Sequence, residues 1–278
     1  MQKKENPLKL GLIYLFLIGF TLATIYPILR VISISLRPGD RLLSTSLALI
    51  PPDWTLNSYR QLLFDSPFLR WLLNSSLIAL VVTVTGVALA STAGYSFSRF
   101  RFPGRSFWLG TVLTTQMFPA TMLLLPLYVM LAKLRLINTY LGLIVAYSAT
   151  ALPFCIWQMK GYYDTIPPSL EEAARIDGCN KFRAFYRIVL PLASPALVIT
   201  ALFSFMSAWA EYMVAAQILQ SPNLFTLPLG LKQFQSNMTT QWGLYAAGSV
   251  VVGIPIIILF LILSRWLISG LTLGSVKG

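Results

Sequence analysis

Residues 167–191 read Pro-Pro-Ser-Leu-Glu-Glu-Ala-Ala-Arg-Ile-Asp-Gly-Cys-Asn-Lys-Phe-Arg-Ala-Phe-Tyr-Arg-Ile-Val-Leu-Pro, and this stretch decides how the rest of the chain is read. The two prolines stop whatever precedes them. Ser169, with Glu172 three residues on, has the spacing of a capping box, in which the hydroxyl accepts from the amide of Glu172 and the carboxylate reaches back. The expected helix covers 170–177 and meets Gly178, the residue type that most readily takes a left-handed conformation at a helix C-terminus. Such a helix is roughly 12 Å long at 1.5 Å per residue, too short to be stable alone in water. It needs something to pack on the face carrying Ala173, Ala174 and Ile176. A second amphipathic piece follows, with Phe182, Phe185, Tyr186 and Val189 at i, i+3, i+4 and i+7, and Pro191 is expected to end it.

The surroundings are apolar. Of the 278 residues 56% are hydrophobic and 11% charged, where a soluble domain has roughly a quarter charged, so the chain belongs in a bilayer. The formal charge of +12 does not point to nucleic acid, because the basic residues sit in short clusters between long apolar runs, as orientation in a membrane requires. The chain has no histidine, which removes the commonest residue of zinc sites and acid–base catalysis. Cys155 and Cys179 have no metal-ligand spacing, and no GxxxxGK[ST] phosphate loop occurs. The expectation is therefore no catalytic residue, no metal and no cofactor held by this chain.

Six apolar runs, at about 10–36, 71–97, 106–132, 139–160, 194–218 and 244–269, predict an all-α polytopic membrane protein forming one transmembrane domain over 1–278, with residues 161–193 as an internal loop. The first run continues without a small-residue cleavage site and reads as an uncleaved span. The N-terminus, the 98–105 turn, the 160–193 loop and the tail carry thirteen Lys and Arg against seven in the opposite connections. That asymmetry places both termini and the 161–193 loop in the cytoplasm. The connections near 37–70 and 219–243 are then external; Pro51-Pro52 and Trp54 suggest order in the first, and the polar composition of the second suits a water-soluble partner. Pro119, Pro126, Pro153 and Pro255 are expected to break or bend the spans they occupy. Glu211 is the sole acid inside an expected span; it either lines a cavity or pairs with Arg30, while Trp209 and Tyr212 beside it can stack on sugar rings or simply occupy an interface. One intramembrane acid and no internal repeat argue against an ion-driven secondary carrier.

The order Glu-Ala-Ala, Asp-Gly, then Ile188, Leu190 and Pro191 resembles the cytoplasmic coupling loop of permease subunits of ATP-binding-cassette importers. The resemblance extends over the chain through Asn74-Ser75, Tyr95-Ser96-Phe97-Ser98-Arg99-Phe100, Pro126-Leu127-Tyr128, Pro153-Phe154, Lys160-Gly161-Tyr162, Thr226-Leu227-Pro228 and the tail from Gly270 to Gly278. On these residues the chain resembles the second inner-membrane permease of the carbohydrate-uptake class, which includes maltose and maltodextrin transporters. That resemblance implies a non-enzymatic transport subunit in the inner membrane, paired with a second permease. It also implies two ATPase subunits that bind ATP and Mg, and an external solute-binding protein delivering a disaccharide or oligosaccharide. Polyols or uronic-acid oligosaccharides are the alternative solutes. It implies further that Glu171, Glu172, Ala173, Ala174, Asp177 and Gly178 sit in a cleft of one ATPase. Ser275, Val276, Lys277 and Gly278 would enter the ATPase dimer, and Trp209, Glu211 and Tyr212 would line the pathway. Gly270, Gly274 and Gly278 are expected to make 271–278 an extended segment with a reach of about 26 Å at roughly 3.3 Å per residue. One position departs from the family pattern: many relatives have Asn where this chain has Ala210.

Overall fold

The structure is a computed structural model that describes residues 7–39, 42, 50–235 and 240–273. Every regular element among them is helical. In chain order these are α1 (Pro7–Ser35), α2 (Asn57–Phe64), α3 (Phe68–Arg99), α4 (Arg105–Thr115), α5 (Ala120–Lys133) and α6 (Tyr140–Thr165). Then come α7 (Ser169–Ile176), α8 (Lys181–Ala184), a π turn (Phe185–Val189), α9 (Leu190–Leu192), α10 (Ser194–Ala210) and α11 (Met213–Ile218). A 3₁₀ turn (Pro222–Leu224), α12 (Leu227–Lys232) and α13 (Trp242–Leu273) complete the chain.

Among the described residues four helices, α1, α3, α6 and α13, are long and apolar enough to cross a bilayer. Several hydroxyl residues of α3 are accommodated locally: Ser76, Thr83 and Thr85 donate to the carbonyls of Leu72, Ala79 and Val81, four residues back. Such bonds let polar side chains sit in a span without an unsatisfied group. The outward faces carry large apolar side chains, such as Leu15, Phe16 and Leu22 on α1 and Ile257 and Leu261 on α13, a surface suited to lipid and not to water.

The other two expected spans are interrupted. The 106–132 run divides into α4 and α5, with Gln116 to Phe118 outside either helix and Pro119, extended at ψ 130°, preceding α5. The 194–218 run divides at Glu211 and Tyr212 into α10 and α11. Four long helices and two broken runs thus stand where six continuous spans were expected. Of the four prolines expected to disturb spans, Pro126, Pro153 and Pro255 lie inside helices and only Pro119 marks a break. At the other end of the chain, α13 continues through Gly270 to Leu273. Leu271 to Leu273 are therefore helical where an extended segment was expected, and Gly274 to Gly278 lie outside the described residues.

The chain resolves into two compact units, Met1–Phe68 with Leu231–Ile254 and Leu69–Gly230 with Pro255–Gly278. In the first, Thr55 N donates to Leu36 O at 2.8 Å, and Ser35 Oγ and Tyr59 Oη share a hydrogen bond of 2.7 Å, which ties α2 and the residues before it to the end of α1. In the second, α3 and α6 approach closely at Gly94, where an added Cβ would lie 2.8 Å from Met159 Cβ and 2.9 Å from Lys160 N. A small residue there lets two backbones meet, which is how helices associate where lipid removes the hydrophobic drive. Around this crossing lies a core that includes Tyr95, Cys155, Met159, Tyr163, Ile166, Phe185 and Val189, contributed by α3, α6 and the loop that follows α6.

Candidate functional site

The loop after α6 begins as anticipated, at a proline pair, but no capping box forms. Pro168 is already helical (φ −59°, ψ −25°) and occupies the cap position, and Ser169 is the first residue of α7. The carbonyls of Pro167 and Pro168 take up the amides of Leu170, Glu171 and Glu172. A proline whose φ is preset for the helix moves the start forward by one residue, and so Glu172 has no cap to complete.

The far end matches the expectation for Gly178. Its φ is +85°, Gly178 N donates to Arg175 O at 3.1 Å and Cys179 N to Ala174 O at 2.9 Å. This pair of bonds, spanning three and five residues, is a Schellman motif that satisfies the last carbonyls of α7. No atom stands within 4 Å of an added Cβ at Gly178, so the demand for glycine comes from the backbone angle and not from space. Two residues later Asn180 caps α8, its side-chain oxygen accepting from Arg183 N at 2.8 Å. Sequence reading missed this cap, although an Asn directly before an amphipathic run is its ordinary signal.

The second piece does not stop at Pro191. The helix widens into the π turn, with Leu190 N bonded to Phe185 O, and runs on through Pro191 to Leu192; a bend of 76° then leads into α10. Widening the ladder immediately before a proline accommodates its missing donor and its ring. The change of pitch also divides the expected apolar stripe. Phe185 and Val189 enter the core, while Phe182 and Tyr186 stay exposed and lie against each other with ring centroids 4.7 Å apart and planes tilted by 52°.

The two adjacent acids of α7 point differently. Glu171 faces inward: Arg99 Nε pairs with Oε1 at 2.5 Å and Tyr95 Oη donates to Oε2 at 2.6 Å, with the Arg99 and Glu171 side chains only 12% and 13% exposed. Arg99 also donates to Ile166 O at 2.8 Å. Glu172 is exposed. Of the face expected to pack, only Ala174 is buried; Ala173 is exposed and Ile176 is 87% exposed. With Glu172, Arg175, Gly178, Cys179, Asn180 and Lys181, Ile176 lines an open recess on the outer side of the loop. A short helix thus rests on an ion pair and presents an acid, an apolar tip and a glycine bend outward. Arg99 and Tyr95 were not singled out as site residues from sequence, although their i, i+4 spacing puts both on one face at the end of α3.

The second set of expected site residues lies at the break between α10 and α11. Glu211 is extended (ψ 127°), and its carboxylate oxygens accept from Val214 N at 2.9 and 3.1 Å and from Ala215 N at 3.2 Å. Its charge is therefore met by the amides at the start of α11, which carry the positive end of that helix. Trp209 is 1% exposed and stacks on Phe205, whereas Tyr212 keeps an exposed ring. The tail residues Ser275 to Gly278 lie outside the described residues. Among the described residues, no group of His, Cys, Asp and Glu is arranged to hold a metal.

Residues 68–272 match the family described as binding-protein-dependent transport system inner membrane component. The chain is 39% identical over 267 residues to the maltodextrin transport system permease protein of Bacillus subtilis (strain 168), covering 95% of each chain. It is 37% identical to the maltose/maltodextrin transport system permease protein of Salmonella typhimurium, covering 100% of this chain and 99% of that one. Among solved structures, a bacterial ABC transporter involved in the import of the acidic polysaccharide alginate superposes with a TM-score of 0.82 at 25% identity, covering 95% of this chain and 98% of that one.

Proposed function

The chain belongs to the family of binding-protein-dependent transport system inner membrane components, and from that membership we propose that it is the sugar-pathway permease of a maltose/maltodextrin-type importer, partnered by a second permease. It is a membrane-embedded transport subunit and not an enzyme. Two ATPase subunits, binding ATP and Mg, supply the energy, and a solute-binding protein delivers the ligand. Both termini lie in the cytoplasm, a reading supported by the distribution of Lys and Arg.

The observation that carries this reading is the outward face of α7. A helix pinned from behind by Glu171 exposes Glu172, Ala173 and Ile176 and then turns at Gly178, which suits insertion into the cleft of a soluble ATPase. Asp177, exposed at the same turn, adds a second acid. Ala174 holds the helix against the loop from beneath. The tail from Ser275 to Gly278 follows the last span and is assigned to the same ATPase dimer. Near the pathway, Tyr212 is the exposed aromatic, while Glu211 orders the break on which it stands.

The structural likeness to an alginate importer favours a second reading, an acidic oligosaccharide as solute. The test is reconstitution of the four-component complex in liposomes with its binding protein, followed by uptake of labelled maltodextrin and of labelled uronic-acid oligomers. Uptake of maltodextrin that depends on ATP and on the binding protein is expected. Uptake of the uronic-acid oligomers alone would replace the first reading with the second, and uptake without ATP would refute both.

A further inference from the structure

We propose that Glu171 is a positioning residue that makes α7 a strut: its carboxylate, held by Arg99 and Tyr95, locks the short helix to the end of α3, so that force applied to α7 moves α3 instead of hinging the loop. This rests on the transporter reading above for the origin of the force, but the lock itself is a property of this chain.

The geometry is a connected polar chain across three elements. Both oxygens of Glu171 are taken by residues four apart on α3, Arg99 at 2.5 Å and Tyr95 at 2.6 Å. Arg99 also donates to Ile166 O, just beyond α6, at 2.8 Å and to Ser98 Oγ at 3.2 Å. Ser98 donates to Asp164 Oδ1 at 2.7 Å, and Asp164 Oδ2 meets Lys160 Nζ of α6 at 2.6 Å. The ends of α3 and α6 are thereby joined to each other and to α7.

A polar lock is needed here because apolar contact cannot supply one. Ala174 is the only residue of α7 that is buried, and Ile176 points away. A two-turn helix with one buried methyl group slides or frays under load, whereas a carboxylate gripped by a guanidinium and a phenol from one helix face is fixed in position and rotation. The Tyr95 ring is itself set in the core, 4.5 Å from Phe185 and 5.9 Å from Tyr163. The lock is therefore anchored to rigid packing and not to another loop. Two neighbouring glutamates on one short helix thus divide the work: Glu172 faces the partner and Glu171 faces the frame.

The experiment uses the complete reconstituted complex and two readouts. The first is the ratio of ATP hydrolysis with solute-loaded binding protein to hydrolysis without it. The second, made on the same complex, is hydrogen exchange at the α7 amides. Glu171→Gln and Arg99→Gln are each expected to lower the stimulation ratio, and to lower α7 protection, by about tenfold, with the double change no worse than either alone. Tyr95→Phe, which keeps the ring packing, lowers both by a smaller factor. The charge-swapped pair Arg99→Glu with Glu171→Arg restores part of the ratio. Unchanged α7 protection in Glu171→Gln and Tyr95→Phe overturns the strut regardless of transport. So do additive effects of the two single changes, or loss of ATPase binding in Glu171→Gln equal to that in Glu172→Gln, which would make Glu171 a direct contact. A wild-type complex that shows no solute stimulation while exchange behaves as expected would refute the transporter reading and leave the lock standing.

Discussion

Substitution at Gly178 tests the reading of the coupling loop most directly, because the structure separates backbone from packing there. Nothing lies within 4 Å of an added Cβ, so alanine, asparagine and valine all fit in space. The φ of +85° is what penalises them. Placing an L-residue in the left-handed region costs roughly 1–2 kcal/mol, less for Asn and more for a β-branched residue. Proline adds a second loss: with φ locked near −65° it cannot adopt the turn, and it deletes the 3.1 Å bond from Gly178 N to Arg175 O, worth about another 1 kcal/mol. The Schellman turn should therefore weaken in the order Gly, Asn, Ala, Val, Pro. A loss of 1–2 kcal/mol is roughly a five- to thirtyfold shift in the local equilibrium. Amide exchange at Gly178 and Cys179 reads that shift, and binding-protein-dependent uptake reads its consequence. Asn is expected to keep most uptake, Ala to reduce it, and Val and Pro to abolish it. Wild-type uptake in Gly178→Val, or a series ordered by side-chain volume with Asn worse than Ala, would show that the left-handed turn does not control the loop.

Glu172→Ala should change the stability of α7 by less than about 0.5 kcal/mol, as for an ordinary surface site, because no cap is lost, yet it should weaken ATPase co-purification; unchanged pull-down counts against the outward face as the docking surface. Asn180→Ala removes the cap of α8 and is expected to cost about 1 kcal/mol, visible as faster exchange at Arg183. Glu211→Gln keeps the shape but loses the favourable charge at the start of α11, a loss of about 0.5–1 kcal/mol; an added Arg30→Gln should not restore it, since the partners lost are the amides of Val214 and Ala215, and full restoration would establish a Glu211–Arg30 pair instead. Deleting Ser275 to Gly278 should leave membrane insertion intact and lower solute-stimulated ATP hydrolysis, whereas transport equal to the full chain would mark these residues as a simple terminus.

The membrane class, the long apolar helices, the helical loop after α6 and its glycine stop were legible in the sequence because each follows from local chemistry. Span length is counted in residues, a proline pair presets a helix start, and a left-handed stop needs glycine. The choice between continuous and broken spans was less legible. Pro126, Pro153 and Pro255 look much like Pro119 in sequence, but a proline inside a helix is tolerated or not according to what its neighbours offer the freed backbone. Pro191 was misread for the same reason: the π turn that carries the helix through it is set by Phe185 and Val189 entering a core built from α3 and α6.

The roles of the acids were decided only by tertiary structure. Sequence presents Glu171 and Glu172 as equivalent neighbours, and the rotation of a two-turn helix about its own axis is not encoded in its eight residues. That rotation is set by Arg99 and Tyr95, more than seventy positions earlier, which capture one carboxylate and leave the other free. Glu211 is the reverse case: its position in an apolar run announces a cost, but only the break in α10 reveals that backbone amides three and four residues ahead satisfy it. Local chemistry determines where helices begin and end. Which of their polar side chains turn inward depends on partners that the fold alone brings together.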